Sequence, residues 1–138
     1  MLSSLDGLVK ASDPRDMRIT ADYEPNLQRC TLLLLKGIYP YEYMDSWPRF
    51  DKEDLPPKEA FYSKFSGEGI TDGDYAHRKR AWDAFGCTSV GDYHDLYLRN
   101  DVLFLANVFK NFRKLCLEGY RLDPAHYYTS SGLSWDQH

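Results

Sequence analysis

Long apolar runs, paired cysteines and an excess of positive charge are all scarce in this sequence. Uninterrupted apolar runs such as Leu32 to Leu35 fall far short of the ~20 residues that a bilayer span needs, so no membrane contact is expected. The opening Met1-Leu2-Ser3-Ser4-Leu5-Asp6 lacks the basic start of a secretory signal, and the expected chain is soluble, unexported and intracellular. Cys30, Cys87 and Cys116 are odd in number, widely spaced and never in a C-x-x-C pair. They fit reduced core thiols in a reducing compartment better than a disulfide framework or a zinc site. Against 21 Asp and Glu stand only 17 Lys and Arg, a formal charge of -4. That balance argues against an autonomous domain that binds DNA by general electrostatics, because such domains displace counterions with a basic excess.

What the chain does hold is material for packing. Its 138 residues set a ceiling of one domain, and 43% hydrophobic with 28% charged residues are ordinary globular values. Aromatics reach 15%, with 11 Tyr, 7 Phe and 3 Trp, residues that fill cores and also form stacking platforms for bases. The pattern predicts a mainly α chain. A short helix capped by Ser3 or Ser4 leads to a polar loop from Ala11 to Glu24 and then a helix from about Pro25 to Lys36, closed by Gly37, with Leu27, Cys30 and Leu34 on one face. An extended, proline-rich and aromatic-rich excursion covers Ile38 to Pro57. Short helices follow over Pro57–Lys64 and Thr71–Phe85. The strongest element runs from Ser89 or Asp92 to about Glu118, where Leu98, Val102, Leu105, Phe109, Phe112 and Cys116 recur at three- and four-residue steps, with Gly119 as its stop. The tail from Leu122 to His138 has no sustained period.

On the long helix Tyr97 and Asp101 stand four apart, on one face with Leu98, Phe104 and Leu105. A carboxylate among apolar groups needs a cation, a donor or a metal; alternatively the helix restarts and Asp101 caps Val102 onward. Other charge-bearing groups have plainer readings. His77-Arg78-Lys79-Arg80 beside Trp82 reads as a solvated helix face, and Lys110, Arg113 and Lys114 as cations placed for the helix dipole. Gly67-Glu68-Gly69 makes no phosphate loop, and His126 with Ser130 or Ser134 lacks a third partner for a hydrolase triad.

The string Asp92-Tyr93-His94-Asp95-Leu96-Tyr97-Leu98-Arg99-Asn100-Asp101-Val102-Leu103-Phe104-Leu105 resembles the Tyr-x-x-x-Asp third exonuclease motif of the protein-primed family B DNA polymerases, in the form found in virus-like transposons and linear plasmids. Lys36-Gly37-Ile38-Tyr39 resembles that family's Lys-x-x-hydrophobic motif, and Ser4-Leu5-Asp6-Gly7-Leu8 its Ser/Thr-Leu-x-x-hydrophobic motif, in the expected order. Three further segments, from Tyr39 to Ser46, from Leu55 to Tyr62 and from Leu122 to Thr129, look like the polinton-type branch.

The resemblance implies that residues 1–120 are part of an α/β, RNase H-like 3′–5′ exonuclease domain and that 121–138 begin the polymerase domain that leads into the palm. It implies catalytic roles for Tyr97, Asp101 and Lys36: Asp101 as a Mg²⁺ ligand, Tyr97 orienting the attacking water, Lys36 supporting the phosphate. Ser4 and Leu5 would contact the single-stranded 3′ end of DNA and a priming protein. Phosphodiester hydrolysis suits those residue types, since it needs carboxylates to hold ions, a positioned nucleophile and positive charge where negative charge gathers. The family's first two exonuclease motifs would lie upstream of Ser4 and its palm motifs downstream of His138, so the chain reads as a piece of a longer enzyme, inactive alone. Asp51-Lys52-Glu53 spells Asp-x-Glu, but among charges and prolines rather than in an apolar strand. Phe104 and Asn107 stand where the family more often has Leu and Asp. The alternative is a non-catalytic helical module that binds a protein or a single strand, or the product of a decayed gene. Apolar surface at Leu98, Val102 and Leu105 would make an isolated piece prone to self-association.

Overall fold

The computed structural model describes residues 17–35, 37–128 and 130–136, and these are mainly helical. Five α-helices follow one another: α1 Arg18–Tyr23, α2 Leu27–Leu33, α3 Asp72–Ala84, α4 Val90–Tyr120 and α5 Ser130–Asp136. Short 3-10 turns lie at Trp47–Asp51, Lys58–Phe61 and Pro124–His126. Among the described residues there is no strand, only an isolated bridge between Ser63 and Glu68 that closes a turn. No described helix is long and apolar enough to cross a membrane. The helix expected near Ser3 lies outside the described residues.

The 31 residues of α4 form the spine, about 46 Å long at the α-helical rise. Its start is fixed by a reciprocal cap. The Ser89 hydroxyl accepts the Asp92 N–H at 3.2 Å while the Asp92 carboxylate accepts the Ser89 N–H at 3.1 Å, satisfying donors that the first turn leaves unpaired. The expected stop at Gly119 is displaced: the helix passes through that glycine and ends where Arg121 turns left-handed at φ 58°, its N–H on the Leu117 carbonyl at 3.1 Å. Glycine permits a left-handed cap without requiring one, and the grip of Arg113 on Asp123 at 2.6 Å draws the chain back immediately beyond.

The inner face of α4 meets α1, α2 and α3. Leu33, Ala81, Leu96 and Leu103 form one buried cluster with Ile19, Phe85 and Cys87 against it, and Met17 and Phe104 form a second, backed by Leu34 and Val108. Two expectations are corrected here. Residues 18–23, placed in a polar loop, form α1, because Met17 and Thr20 are buried against α4 and tertiary contacts outweigh the weak local pattern. The second helix begins at Leu27 under an Asn26 cap and ends at Leu33. Its buried residues are Cys30 and Leu33, while Leu27 is exposed. Farther along, the tail expected to lack periodicity holds α5, and the excursion over 38–57 carries the turn at Trp47–Asp51.

α1 is tied to α4 by one side chain. Fully buried Asn107 accepts the Ile19 N–H at 2.9 Å through Oδ1 and donates through Nδ2 to the Thr20 hydroxyl and the Leu103 carbonyl, both at 2.8 Å. Aspartate at this position would set a second carboxylate oxygen against the Leu103 carbonyl, so the amide is the fitting group. Asn107→Leu fills similar space but strands the Ile19 N–H. Denaturant unfolding should register a loss of about 1–3 kcal/mol, whereas an unchanged midpoint would show that α1 is not held this way.

Candidate functional site

Tyr97 and Asp101 lie one turn apart in the unbroken middle of α4, so the reading of Asp101 as a cap for a restarted helix is excluded. The face they share is not uniformly apolar. Phe104 is wholly buried, Leu98 and Leu105 are exposed, and Asp101 sits on the border between the packed and the open sides of the helix. Its Oδ1 is buried with no hydrogen-bond partner among the described residues, as is Oδ1 of the neighbouring Asn100. An unpaired buried carboxylate oxygen carries a desolvation penalty that a ligand cation or donor would relieve.

Onto the same stretch of α4 folds the backbone on either side of Lys36. Asn100 donates to the Leu35 carbonyl at 3.3 Å, and the Tyr93 hydroxyl donates to the Ile38 carbonyl at 3.0 Å. Between them Gly37 lies so close to the Tyr97 ring that a Cβ there would stand 2.7 Å from Cδ2, a distance real Cβ atoms do not adopt. Glycine is therefore required by close approach, not as the helix stop expected from sequence. Lys36, Ser4 and Leu5 themselves lie outside the described residues. Of the expected site residues, the structure brings together Tyr97, Asp101 and the backbone flanking Lys36.

Aromatic side chains wall the place. The Tyr97 and Tyr41 hydroxyls are 2.7 Å apart, and Tyr39, buried under both rings, bonds Nδ1 of His94 at 2.7 Å. Burial raises the Tyr97 pKa well above the phenolic range, helped by the Tyr41 hydrogen bond and by the charge of Asp101. Burial likewise pushes Tyr93 up to about 12. A phenol so held stays protonated at neutral pH and serves to orient a neighbour by hydrogen bonding rather than to remove its proton.

Arg78 was missed. The run His77-Arg78-Lys79-Arg80, expected to face solvent, splits: His77 and Arg78 are buried, Lys79 and Arg80 exposed. The Arg78 guanidinium reaches Tyr93, and its Nη1 lies 3.4 Å from where a Gly37 Cβ would stand, which puts a buried cation behind the site. His77 donates through Nε2–H to the Leu32 carbonyl at 3.2 Å, and burial, then Arg78, lowers its pKa. Helical spacing held the signal, since His77, Arg78 and Ala81 line the buried side of α3, but polarity masked it.

Among the described residues no group of three or more His, Cys, Asp or Glu gathers. The orphaned Oδ1 of Asp101 suits one ligand of a hard divalent cation, but this single carboxylate does not complete such a shell. In comparisons with family models, curated proteins and solved structures, none matched the chain.

The raised phenols carry a pH signature. In the unfolded chain tyrosines ionise near pH ~10, whereas folded Tyr97 and Tyr93 hold their protons to higher pH. Their contribution to stability is thus complete below pH ~10 and lost as pH rises through the folded values. Denaturant midpoints should fall above pH ~10, less steeply in Tyr97→Phe, and equal slopes in both proteins would rule out the burial described for Tyr97.

Proposed function

We propose that this chain is part of the 3′–5′ exonuclease region of a protein-primed family B DNA polymerase, with residues 1–120 in a proofreading domain of RNase H-like α/β fold and 121–138 leading toward the polymerase domain. One observation carries the reading. Two segments 60 positions apart, Lys36-Gly37 and Tyr97-x-x-x-Asp101, each resemble a motif of the family, and the fold packs the glycine of one against the tyrosine of the other.

In the complete enzyme Asp101, with carboxylates from outside this chain, would hold Mg²⁺, which when bound would supply Lewis acidity toward the phosphate. Tyr97 would orient the attacking water through its protonated hydroxyl, fixed by Tyr41. Lys36 would offset charge on the phosphate, while Ser4 and Leu5 would meet the single-stranded 3′ end and the priming protein. A second reading, a non-catalytic helical module or decayed product, draws on a different observation: Leu98, Val102, Leu105, Phe109 and Phe112 form an exposed stripe on α4, open to a partner or to self-association.

A complete polymerase carrying this segment separates the two. Asp101→Ala should abolish 3′–5′ digestion and leave primer extension largely intact. Lys36→Ala should fall between that loss and the milder effect of Tyr97→Phe, which removes one hydrogen bond worth ~1–3 kcal/mol. Should the Asp101→Ala enzyme proofread at the parental rate, or lose both activities together through unfolding, the exonuclease assignment fails and the module remains.

A further inference from the structure

The cations near the end of α4 are not placed for its dipole. The last turn, ending at Tyr120, contains no basic residue, and Lys110, Arg113 and Lys114 all lie before it, beyond the reach of an effect that fades within one turn. Instead, together with Arg18 from α1, they line an open cavity of about 470 Å³ with Asn111 and Leu117, in which Glu118 is the one acidic residue. Four cations against one carboxylate is a local reversal in a chain whose formal charge is -4.

These charges are only partly neutralised. Arg113 is held by Asp123, Nη2 to Oδ2 at 2.6 Å. Lys114 meets Glu118 at a loose 3.9 Å with both side chains mostly in solvent, a pair of little consequence. Arg18 and Lys110 form no ion pair among the described residues. Lys110 and Lys114 follow at one helical turn, so the groove presents a row of cations rather than a point charge, and a row suits successive phosphates along a strand better than one compact anion. From Asp101 to Lys110 is nine residues, about two and a half turns, which sets the groove on the opposite side of α4 and about 14 Å along it. It is therefore separate from the Tyr97–Asp101 site.

We propose that this groove binds the phosphodiester backbone of a single nucleic-acid strand; only the expectation that the strand is DNA rests on the polymerase reading. Arg18, Lys110 and Lys114 act as three phosphate contacts, with Arg113 fixed at the rim.

The test is fluorescence anisotropy of the 138-residue chain with a labelled oligothymidylate across a salt series. Three neutralised phosphates give a log–log slope of about -2.1, so a fourfold rise in salt should weaken binding roughly 18-fold. In Arg18→Gln/Lys110→Gln one contact remains, the slope should drop to about -0.7 and the same rise should cost roughly threefold. Both positions are exposed, and circular dichroism of the variant checks that its helices are kept. The anisotropy readout needs neither metal nor digestion, whereas the exonuclease assignment is tested by digestion, so failure of that assignment and failure of the groove are read separately. No binding at low salt, an unchanged slope in the double variant, or displacement by inorganic phosphate or a nucleoside triphosphate as effective as by unlabelled oligomer would each overturn the proposal.

Discussion

The backbone at Leu35, Gly37 and Ile38 is held on α4 by three residues of that helix: Asn100 takes one carbonyl, Tyr93 another, and the Tyr97 ring fills the place of a Cβ that Gly37 lacks. The remaining site geometry follows from this closure. It fixes Tyr39 and Tyr41 over the helix, brings buried Arg78 up behind Gly37, and partly shields Tyr97 from solvent, which is the main cause of its raised pKa. A looser loop would leave an exposed tyrosine and an ordinary surface aspartate.

α4 has two apolar faces, and the difference between them organises the molecule. One is covered by α1, α2 and α3; the other exposes Leu98, Val102, Leu105, Phe109 and Phe112 between the turns at Trp47–Asp51 and Pro124–His126. Asp101 lies on the border of these faces, so its carboxylate is half-buried and retains an oxygen without a partner. A charge set at such an edge can meet a ligand that a buried one could not, while keeping enough of the low-dielectric surroundings for that encounter to matter.

Local sequence rules located the strongest elements. Thr71 caps α3, Gly86 follows its end at φ 63°, and Ser89 with Asp92 opens α4, each a signal carried by one or two adjacent residues. Rules of the same range failed where partners distant in sequence decide. α1 exists because Asn107, 88 positions away from Ile19, secures it. The periodic apolar positions of α4 gave its helicity, and the surface expected at Leu98, Val102 and Leu105 is indeed exposed, whereas the covering of the opposite side by α1 was not legible. The placing of Tyr97 and Asp101 one turn apart on α4 was legible in their spacing, and Gly37 was singled out as a helix stop when its true constraint is an aromatic ring 60 positions later. Arg78 stayed hidden because its charge masked a helical spacing that puts it on the buried side of α3 with His77 and Ala81, and the partners that accept a buried cation there, Tyr93 and Gly37, are distant in sequence.

Whether the two motif segments truly meet is decided most directly by a double-mutant cycle between Gly37→Ala and Tyr97→Ala, read as unfolding free energy. Added alone, the Cβ must push the ring aside; with the ring removed, that penalty disappears. The account predicts that Gly37→Ala is destabilising in the parent, that Tyr97→Ala largely abolishes its effect, and that the two are coupled by about 1–2 kcal/mol. Additive losses, with coupling below about 0.5 kcal/mol, would mean that Gly37 and Tyr97 do not touch, and the site built on their contact would not exist.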